Sequence, residues 1–177
     1  YPKKFELSIN RIKNQGSVGS CVAHALSSMI EYFNKKQLHT DDEMSVGFIY
    51  GNRTTSIHRG PGMVIRDALK AVLKNGDVPN TLFPYNVEVP EIIDMFNEAF
   101  ETLAPDAYPF RISSYFKINE KDVKHCLMNN GPVVIYLEWF SKMPVIDGIL
   151  TKQSDSSIGG HCVLITGWDD EKGWLIH

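Results

Sequence analysis

Residues 14–21 read Asn14-Gln15-Gly16-Ser17-Val18-Gly19-Ser20-Cys21 and run directly into an apolar segment with helical periodicity. The glycines allow another backbone or a ligand to approach closely. Ser20 is a typical N-cap residue, because its hydroxyl can accept an unpaired N–H of the first turn. Cys21 then opens a helix predicted to run from Ser20 to Lys36, where free N–H groups and positive partial charge favour the nucleophilic thiolate. A lone helix cysteine is more commonly a buried core residue, so a reactive Cys21 needs a second motif.

The second motif is Gly159-Gly160-His161-Cys162, which begins an apolar run that ends at Trp168. Gln15 lies six residues before Cys21, and His161 follows Cys21 by about 140 residues, within the separation known for papain-like enzymes. The two segments resemble the nucleophile loop and the histidine strand of the papain-like cysteine peptidases of bacterial type. Each motif alone is weak, but the pair is specific, and the resemblance extends over nearly the whole chain.

This resemblance implies an α+β fold of two lobes with the active-site cleft between them. The helical lobe, residues 10–107, would carry the nucleophile. Residues 1–9 and 108–177 would form a second lobe, antiparallel and resembling a β-barrel, that carries the histidine. The segment Pro105 to Pro109 marks the expected lobe boundary.

The same resemblance implies peptide-bond hydrolysis through a thioester on Cys21, with His161 as general acid and base. The backbone N–H of Cys21 and the side-chain amide of Gln15 would bind the oxyanion. Taken singly, Gln15 reads as a solvated loop residue and His161 as a structural histidine. Their spacing from Cys21 favours the catalytic interpretation. Cys162 should point away from His161 into the core, because successive strand residues face opposite sides of a sheet.

A glycine-rich segment at His58–Gly62 resembles the family's loop that lines the substrate cleft. Substrate binding is therefore expected at Gly60, Gly62, Met63 and Gly160, where glycine backbone can pair with an extended peptide. Met63, Val64 and Val133 are candidates for lining the pocket that takes the residue before the cleaved bond. An ordinary turn is the alternative for the 58–62 segment. It is not a dinucleotide-binding motif, because residue 65 is Ile where a third glycine is needed.

Composition restricts the class of protein. The chain has 177 residues, 43% of them hydrophobic, and a net charge of −3 without a basic tract, which argues against nucleic acid or an anionic membrane surface as a partner. Peptides or proteins are the expected partners. The sequence contains no His-x-x-x-His or Cys-x-x-Cys spacing, so we expect no metal and no cofactor.

The three cysteines, Cys21, Cys126 and Cys162, do not form a disulfide framework. Many relatives carry a disulfide that begins just before the nucleophile, where this chain has Val18 instead. A chain without disulfides suits a prokaryotic origin or a reducing compartment. We expect a prokaryotic secreted or cell-surface protein somewhat more than a cytoplasmic one.

Periodicity predicts the remaining elements. Further helices are predicted at 63–75, 90–103 and 119–128, and strands at 111–118, 132–137, 148–150, 161–168 and 174–177.

One feature of the family is missing. In relatives an asparagine after the return strand orients the histidine, and here the sequence ends at that strand with His177. We therefore expect that a C-terminal segment or a separate chain completes the lobe, and that this polypeptide alone is weakly active or inactive. The resemblance also makes an inhibitory pro-segment upstream a candidate partner. A catalytically impaired peptide-binding relative and a different cysteine acyl-transferring enzyme, such as a transglutaminase-like transferase, are the alternatives.

Overall fold

Most helices lie in the first part of the described chain and most strands in the last part. The computed structural model describes residues 1–9, 11–53 and 60–177, so His58 and Arg59 of the predicted glycine loop lie outside the described residues. The helices are α1 Cys21–Gln37, α2 Val46–Gly51, α3 Ile65–Asn75, α4 Glu91–Ala107 and α5 Val123–Asn129. The strands are β1 Lys4–Glu6, β2 Val133–Phe140, β3 Val145–Ile146, β4 Ile149–Leu150, β5 Ser157–Asp169 and β6 Gly173–Ile176.

Helix α1 is the centre of the larger hydrophobic core, which we call the helical core. Its apolar residues recur every three or four positions, so they lie on one broad face that is buried. Side chains from α2, α3 and α4 close over this face. The buried members from the four helices include Val22, Leu26, Ile30, Phe48, Ile49, Ala68, Val72, Ile92 and Phe96.

Strand β5 is the centre of the sheet, because β1, β2 and β6 all pair with it in antiparallel orientation. Strands β3 and β4 form a separate two-stranded sheet. A smaller sheet core joins α5 to β5 through Val123, Leu127, Ile165 and Trp168. The expected α+β class is confirmed. The described strands form two open sheets and no closed barrel, so the barrel-like lobe implied by the resemblance is not seen as a closed barrel in the described residues.

The extended N-terminal residues attach to the end of β5. Phe5 pairs with Trp168 in the ladder and stacks on its ring, with the ring centroids 5.0 Å apart. The indole N–H of Trp168 donates to the carbonyl of Pro2. The start of the chain is thereby tied to the strand that carries His161, while the bounds of the two lobes stay a prediction.

The structure corrects two of the predicted elements. Residues 111–118 are irregular instead of a strand, and Phe116 is 66% exposed, so the segment lacks the buried side chains that stabilise a strand. Helix α4 continues past Leu103 and through Pro105 to Ala107. Proline is tolerated there because it lies in the last turn, where its ring costs one backbone hydrogen bond. The predicted strands near Val133, Ile149, His161 and Trp174 are confirmed.

Helix α2 holds the segment 83–88 in place. A Cβ at Gly47 would lie 1.9 Å from the carbonyl oxygen of Tyr85, so only glycine allows this approach. The hydroxyl of Ser45, the N-cap of α2, accepts from the N–H of Phe48 and donates to the carbonyl of Phe83. The segment that reaches the loop before Cys21 is therefore fixed to a buried helix.

We expect Gly47→Ala to destabilise the fold although alanine is the better helix former. The change alone would add about 1 kcal/mol of stability in an open helix. Here the methyl group overlaps Tyr85, and overpacking of this kind costs about 1–3 kcal/mol. Urea unfolding measures the difference. Lys70→Ala, at an exposed position of α3, is the control and should stay within about 0.5 kcal/mol. A Gly47→Ala protein as stable as the wild type would contradict the close contact.

Candidate active site

Helix α1, which begins at Cys21, packs against strand β5, which carries His161. Cys21 is the first residue of α1 and is half-buried. It packs on the helical core, which includes Cys162, the residue directly after His161. Burial and, to a smaller extent, the neighbouring Cys21 raise the pKa of Cys162 to about 12. Cys162 is thus a buried core thiol, as expected, and it places Cys21 beside the strand that carries His161.

His161 lies on β5 directly opposite Leu137 of β2. Its imidazole meets the ring of Trp139 edge to face, with centroids 4.8 Å apart. Burial lowers the pKa of His161, which favours the neutral ring. Trp139 was not predicted as a site residue, because it belongs to no motif and its sequence context indicates only an apolar strand.

Hydrogen bonds within residues 14–20, which we call the nucleophile loop, fold it on itself. The amide of Gln15 donates to the carbonyl of Val18 at 3.0 Å, and the N–H of Val18 returns to the carbonyl of Gln15. The N–H of Gly16 is accepted by the side chain of Asn14. The Gln15 amide has two N–H groups, so the internal bond orients it and leaves the second N–H for another acceptor.

The predicted capping role of Ser20 is wrong. Ser20 is at the N-cap position, but its side chain makes no capping hydrogen bond. Its hydroxyl donates instead to Asn86 Oδ1 at 2.9 Å and lies 3.2 Å from Nδ1 of His24. A tertiary partner has therefore replaced the local one. The Ser20 side chain therefore does not occupy the first N–H groups of α1, and such N–H groups can bind an anion.

The turn at Gly60–Gly62 lies beside the nucleophile loop. A Cβ at Gly19 would come within 3.1 Å of the backbone nitrogen of Gly62. Gly62 has a φ of +83°, and a Cβ there would enter open space. The carbonyl of Gly60 accepts a hydrogen bond from Arg53 at 2.7 Å. Two of the predicted substrate-binding glycines therefore lie next to the nucleophile loop.

Position 160 has space only for glycine, because an aromatic ring lies against its backbone. A Cβ there would lie 2.0 Å from the ring of Tyr136, which crosses the strand at this point and is itself 65% exposed. Tyr136 was not identified from the sequence. Met63 packs on the helical core, whereas Val133 packs on the sheet core and Val64 is largely exposed. Met63 and Val133 thus contribute to different cores.

A cavity of about 540 Å³ opens near the nucleophile loop. Its lining includes Arg11, Lys13, Asn14, His24 and Asn86 but neither Cys21 nor His161, so it is not a cleft between those two residues. Burial lowers the pKa of His24, whose Nδ1 lies 3.0 Å from the carbonyl oxygen of Ser20. This contact gives His24 a structural role.

The described part of the chain was also compared with what a metal site and a membrane span require. Among residues 1–9, 11–53 and 60–177, no three or more His, Cys, Asp or Glu side chains are grouped to hold a metal ion. Within the same ranges, every helix is too short or too polar to cross a membrane.

Comparison with known proteins gives a consistent result. A family model described as papain family cysteine protease matches residues 2–177. A protein of Blomia tropicalis named cysteine protease is 26% identical over 189 aligned residues, which cover 95% of this chain and 53% of that protein. The chain therefore spans about half the length of this relative.

Solved structures agree on the fold. Xylellain, described as a cysteine protease from Xylella fastidiosa, gives a TM-score of 0.76 at 28% identity, covering 96% of this chain and 71% of that one. A procathepsin B from Trypanosoma congolense gives the same TM-score of 0.76 at 18% identity, covering 99% of this chain and 66% of that one. The second likeness shows the fold alone.

We expect Trp139→Ala to raise the pKa of His161. The substitution removes the ring that covers the imidazole, and burial is the cause of the lowered pKa. Titration of the histidine ring protons by NMR measures the shift. Trp139→Phe keeps an aromatic cover and should retain most of the depression. Tyr136→Ala removes a ring that does not cover His161 and is the control. An unchanged titration curve in Trp139→Ala would show that Trp139 does not shield the imidazole.

Proposed function

The chain belongs to the papain family of cysteine proteases, and on that premise we propose that it is a cysteine endopeptidase that acts through Cys21. The observation that carries the proposal is the position of Cys21 at the N-terminus of α1, packed against Cys162, the neighbour of His161. A helix N-terminus favours the thiolate, and a histidine beside it can hold the thiol proton.

In the proposed reaction the thiolate of Cys21 attacks the carbonyl carbon of the scissile peptide bond. The C–N bond breaks when the imidazolium of His161 delivers its proton to the leaving amine, which leaves a thioester on Cys21. Water then attacks the thioester carbon while His161 accepts one of its protons. The thiolate is regenerated, and the second product is a carboxylic acid.

The oxyanion of each tetrahedral intermediate would be bound by two donors. The N–H of Cys21 belongs to the first helical turn, where backbone N–H groups lack intrahelical partners. The second donor would be the free N–H of the Gln15 side chain, whose other N–H fixes its direction through Val18. Donors fixed before the reaction need no reorganisation as the negative charge develops.

The substrate would be an extended peptide or protein segment. The turn at Gly60–Gly62 beside the nucleophile loop supports this choice, because Gly62 presents backbone without a covering side chain. An extended peptide pairs with such backbone through main-chain hydrogen bonds. Gly160, on the strand of His161, would bound the peptide on the other side, and Met63 would contact one of its side chains. Activity is best tested on the full-length protein, since the chain spans half of the relative compared above.

Alkylation by iodoacetamide near pH 6 should label Cys21 much faster than Cys126 or Cys162. The other two thiols are internal controls, because both are buried and burial raises their pKa values. Mass spectrometry of the digested protein gives the rate at each site. His161→Ala should remove most of the advantage of Cys21. Equal, slow labelling of all three cysteines would exclude the enzymatic proposal and favour a peptide-binding relative.

Gln15→Ala should lower kcat for a peptide substrate by about 10²–10³ and change KM little, because one oxyanion donor is lost. Initial rates over a range of substrate concentrations separate the two constants. Gln37→Ala, at the exposed end of α1, is the matched control and should behave as the wild type. Hydrolysis that continues at the wild-type rate in Gln15→Ala would remove Gln15 from the mechanism.

A further inference from the structure

Residues Asn86 and Glu88 hold the nucleophile loop at both of its ends. The side chain of Asn86 donates to the carbonyl of Gln15 at 3.3 Å and accepts from the hydroxyl of Ser20 at 2.9 Å. Glu88 Oε1 accepts from the N–H of Gly19 at 2.6 Å. Three hydrogen bonds therefore connect one short segment to the beginning and the end of the loop.

The second carboxylate oxygen of Glu88 connects the loop to a buried helix. It accepts from the phenol of Tyr50 at 3.0 Å, and Tyr50 is wholly buried in α2. The guanidinium of Arg53 lies over the Tyr50 ring at 4.3 Å and also donates to the carbonyl of Gly60. Glu88 thus connects Gly19 to Tyr50 and its partner Arg53, which also holds the turn at Gly60–Gly62.

The nucleophile loop needs such external support. It contains Gly16 and Gly19, and glycine loses the most conformational freedom on ordering. All three cysteines are free, so no covalent bridge restrains the loop. Its internal hydrogen bonds join Gln15 to Val18, Gly16 to Asn14 and Ser20 to Val18, and among the described contacts none of them uses the N–H of Gly19. The Gly19 N–H, two residues before Cys21, is instead held by a carboxylate, and hydrogen bonds to an ionised acceptor are the stronger kind.

We propose that Glu88, assisted by Asn86, is the positioning residue of the nucleophile loop: it fixes Gly19, and through it Cys21, relative to His161 and to the turn at Gly60–Gly62. Glu88 acts through the backbone and does not touch the substrate. The proposal rests on the proposed function only for its kinetic readout, because the reactivity of Cys21 can be measured without turnover.

Three variants of the full-length protein test this role. Glu88→Ala removes both hydrogen bonds, Glu88→Gln keeps an acceptor oxygen without the charge, and Glu91→Gln changes an exposed glutamate at the start of α4. The first readout is the pH profile of Cys21 alkylation by iodoacetamide. Loss of positioning should move the profile of Glu88→Ala upwards, towards an ordinary thiol, and slow labelling near pH 6 at least about tenfold.

The charge of Glu88 and its hydrogen bonds predict opposite shifts. Removal of a negative charge near Cys21 would by itself favour the thiolate and move the alkylation profile downwards. The positioning role predicts an upward shift in Glu88→Ala and a nearly wild-type profile in Glu88→Gln, which can still accept from Gly19. Glu91→Gln should match the wild type.

The second readout is hydrolysis of a peptide substrate. Glu88→Ala should lower kcat by about ten- to a hundredfold while KM stays within about twofold, because a small displacement of the nucleophile slows chemistry more than binding. Thermal unfolding is recorded for each variant.

Two results would overturn the positioning role. One is a Glu88→Ala protein that is less stable but whose folded form keeps the wild-type alkylation profile and kcat. The other is a downward shift in both Glu88 variants, which assigns the effect to charge. A wild-type protein that does not cleave peptides would refute the proposed function, and the alkylation series would still decide the role of Glu88.

Discussion

The contact between the first turn of α1 and strand β5 is the interaction on which the rest of the structure depends. It joins the helical core to the sheet, since Cys162 of β5 is buried in the same cluster as the apolar face of α1. Cys162 is buried against the helix, whereas His161, the residue before it, is only half-buried beside the ring of Trp139. The same contact places Cys21 beside the strand that carries His161.

Near this contact, glycines let a backbone segment come very close to another backbone segment or to an aromatic ring. Gly47 admits the carbonyl of Tyr85, Gly19 admits the turn at Gly62, and Gly160 admits the ring of Tyr136. Each approach excludes a side chain where segments from different parts of the chain meet. The site is therefore assembled from loops that α1, α2 and β5 hold in fixed positions, as is common for binding and catalytic residues.

Support for the nucleophile loop comes from outside the loop. The glycines give the loop conformational freedom, and its own hydrogen bonds join residues at most three positions apart. Asn86 and Glu88 belong to a segment that is fixed in turn by Gly47 and Ser45 of α2. Helix α2 thus holds the segment 83–88 in place, and this segment holds the nucleophile loop. Functional groups are held in productive geometry by supporting contacts of this kind, which do not touch the substrate themselves.

The sequence by itself determined the elements with strong local signals. Helix α1 and strand β5 follow from hydrophobic periodicity, and Cys21, Gln15 and His161 follow from motif spacing, because these signals lie within short stretches of chain. Predictions from local sequence were wrong where contacts with distant parts of the chain decided the structure. The hydroxyl of Ser20 bonds Asn86 instead of capping α1, and residues 111–118 have strand-like composition without a strand.

Only the tertiary structure decided which distant groups meet. Glu88 next to Gly19, Trp139 over His161 and Tyr136 over Gly160 are contacts across the fold, and none has a motif. Side-chain partners of this kind depend on how helices and strands pack, and packing is not encoded in any short segment. The identity of the candidate catalytic residues was therefore readable from the chain, whereas the groups that position them were not.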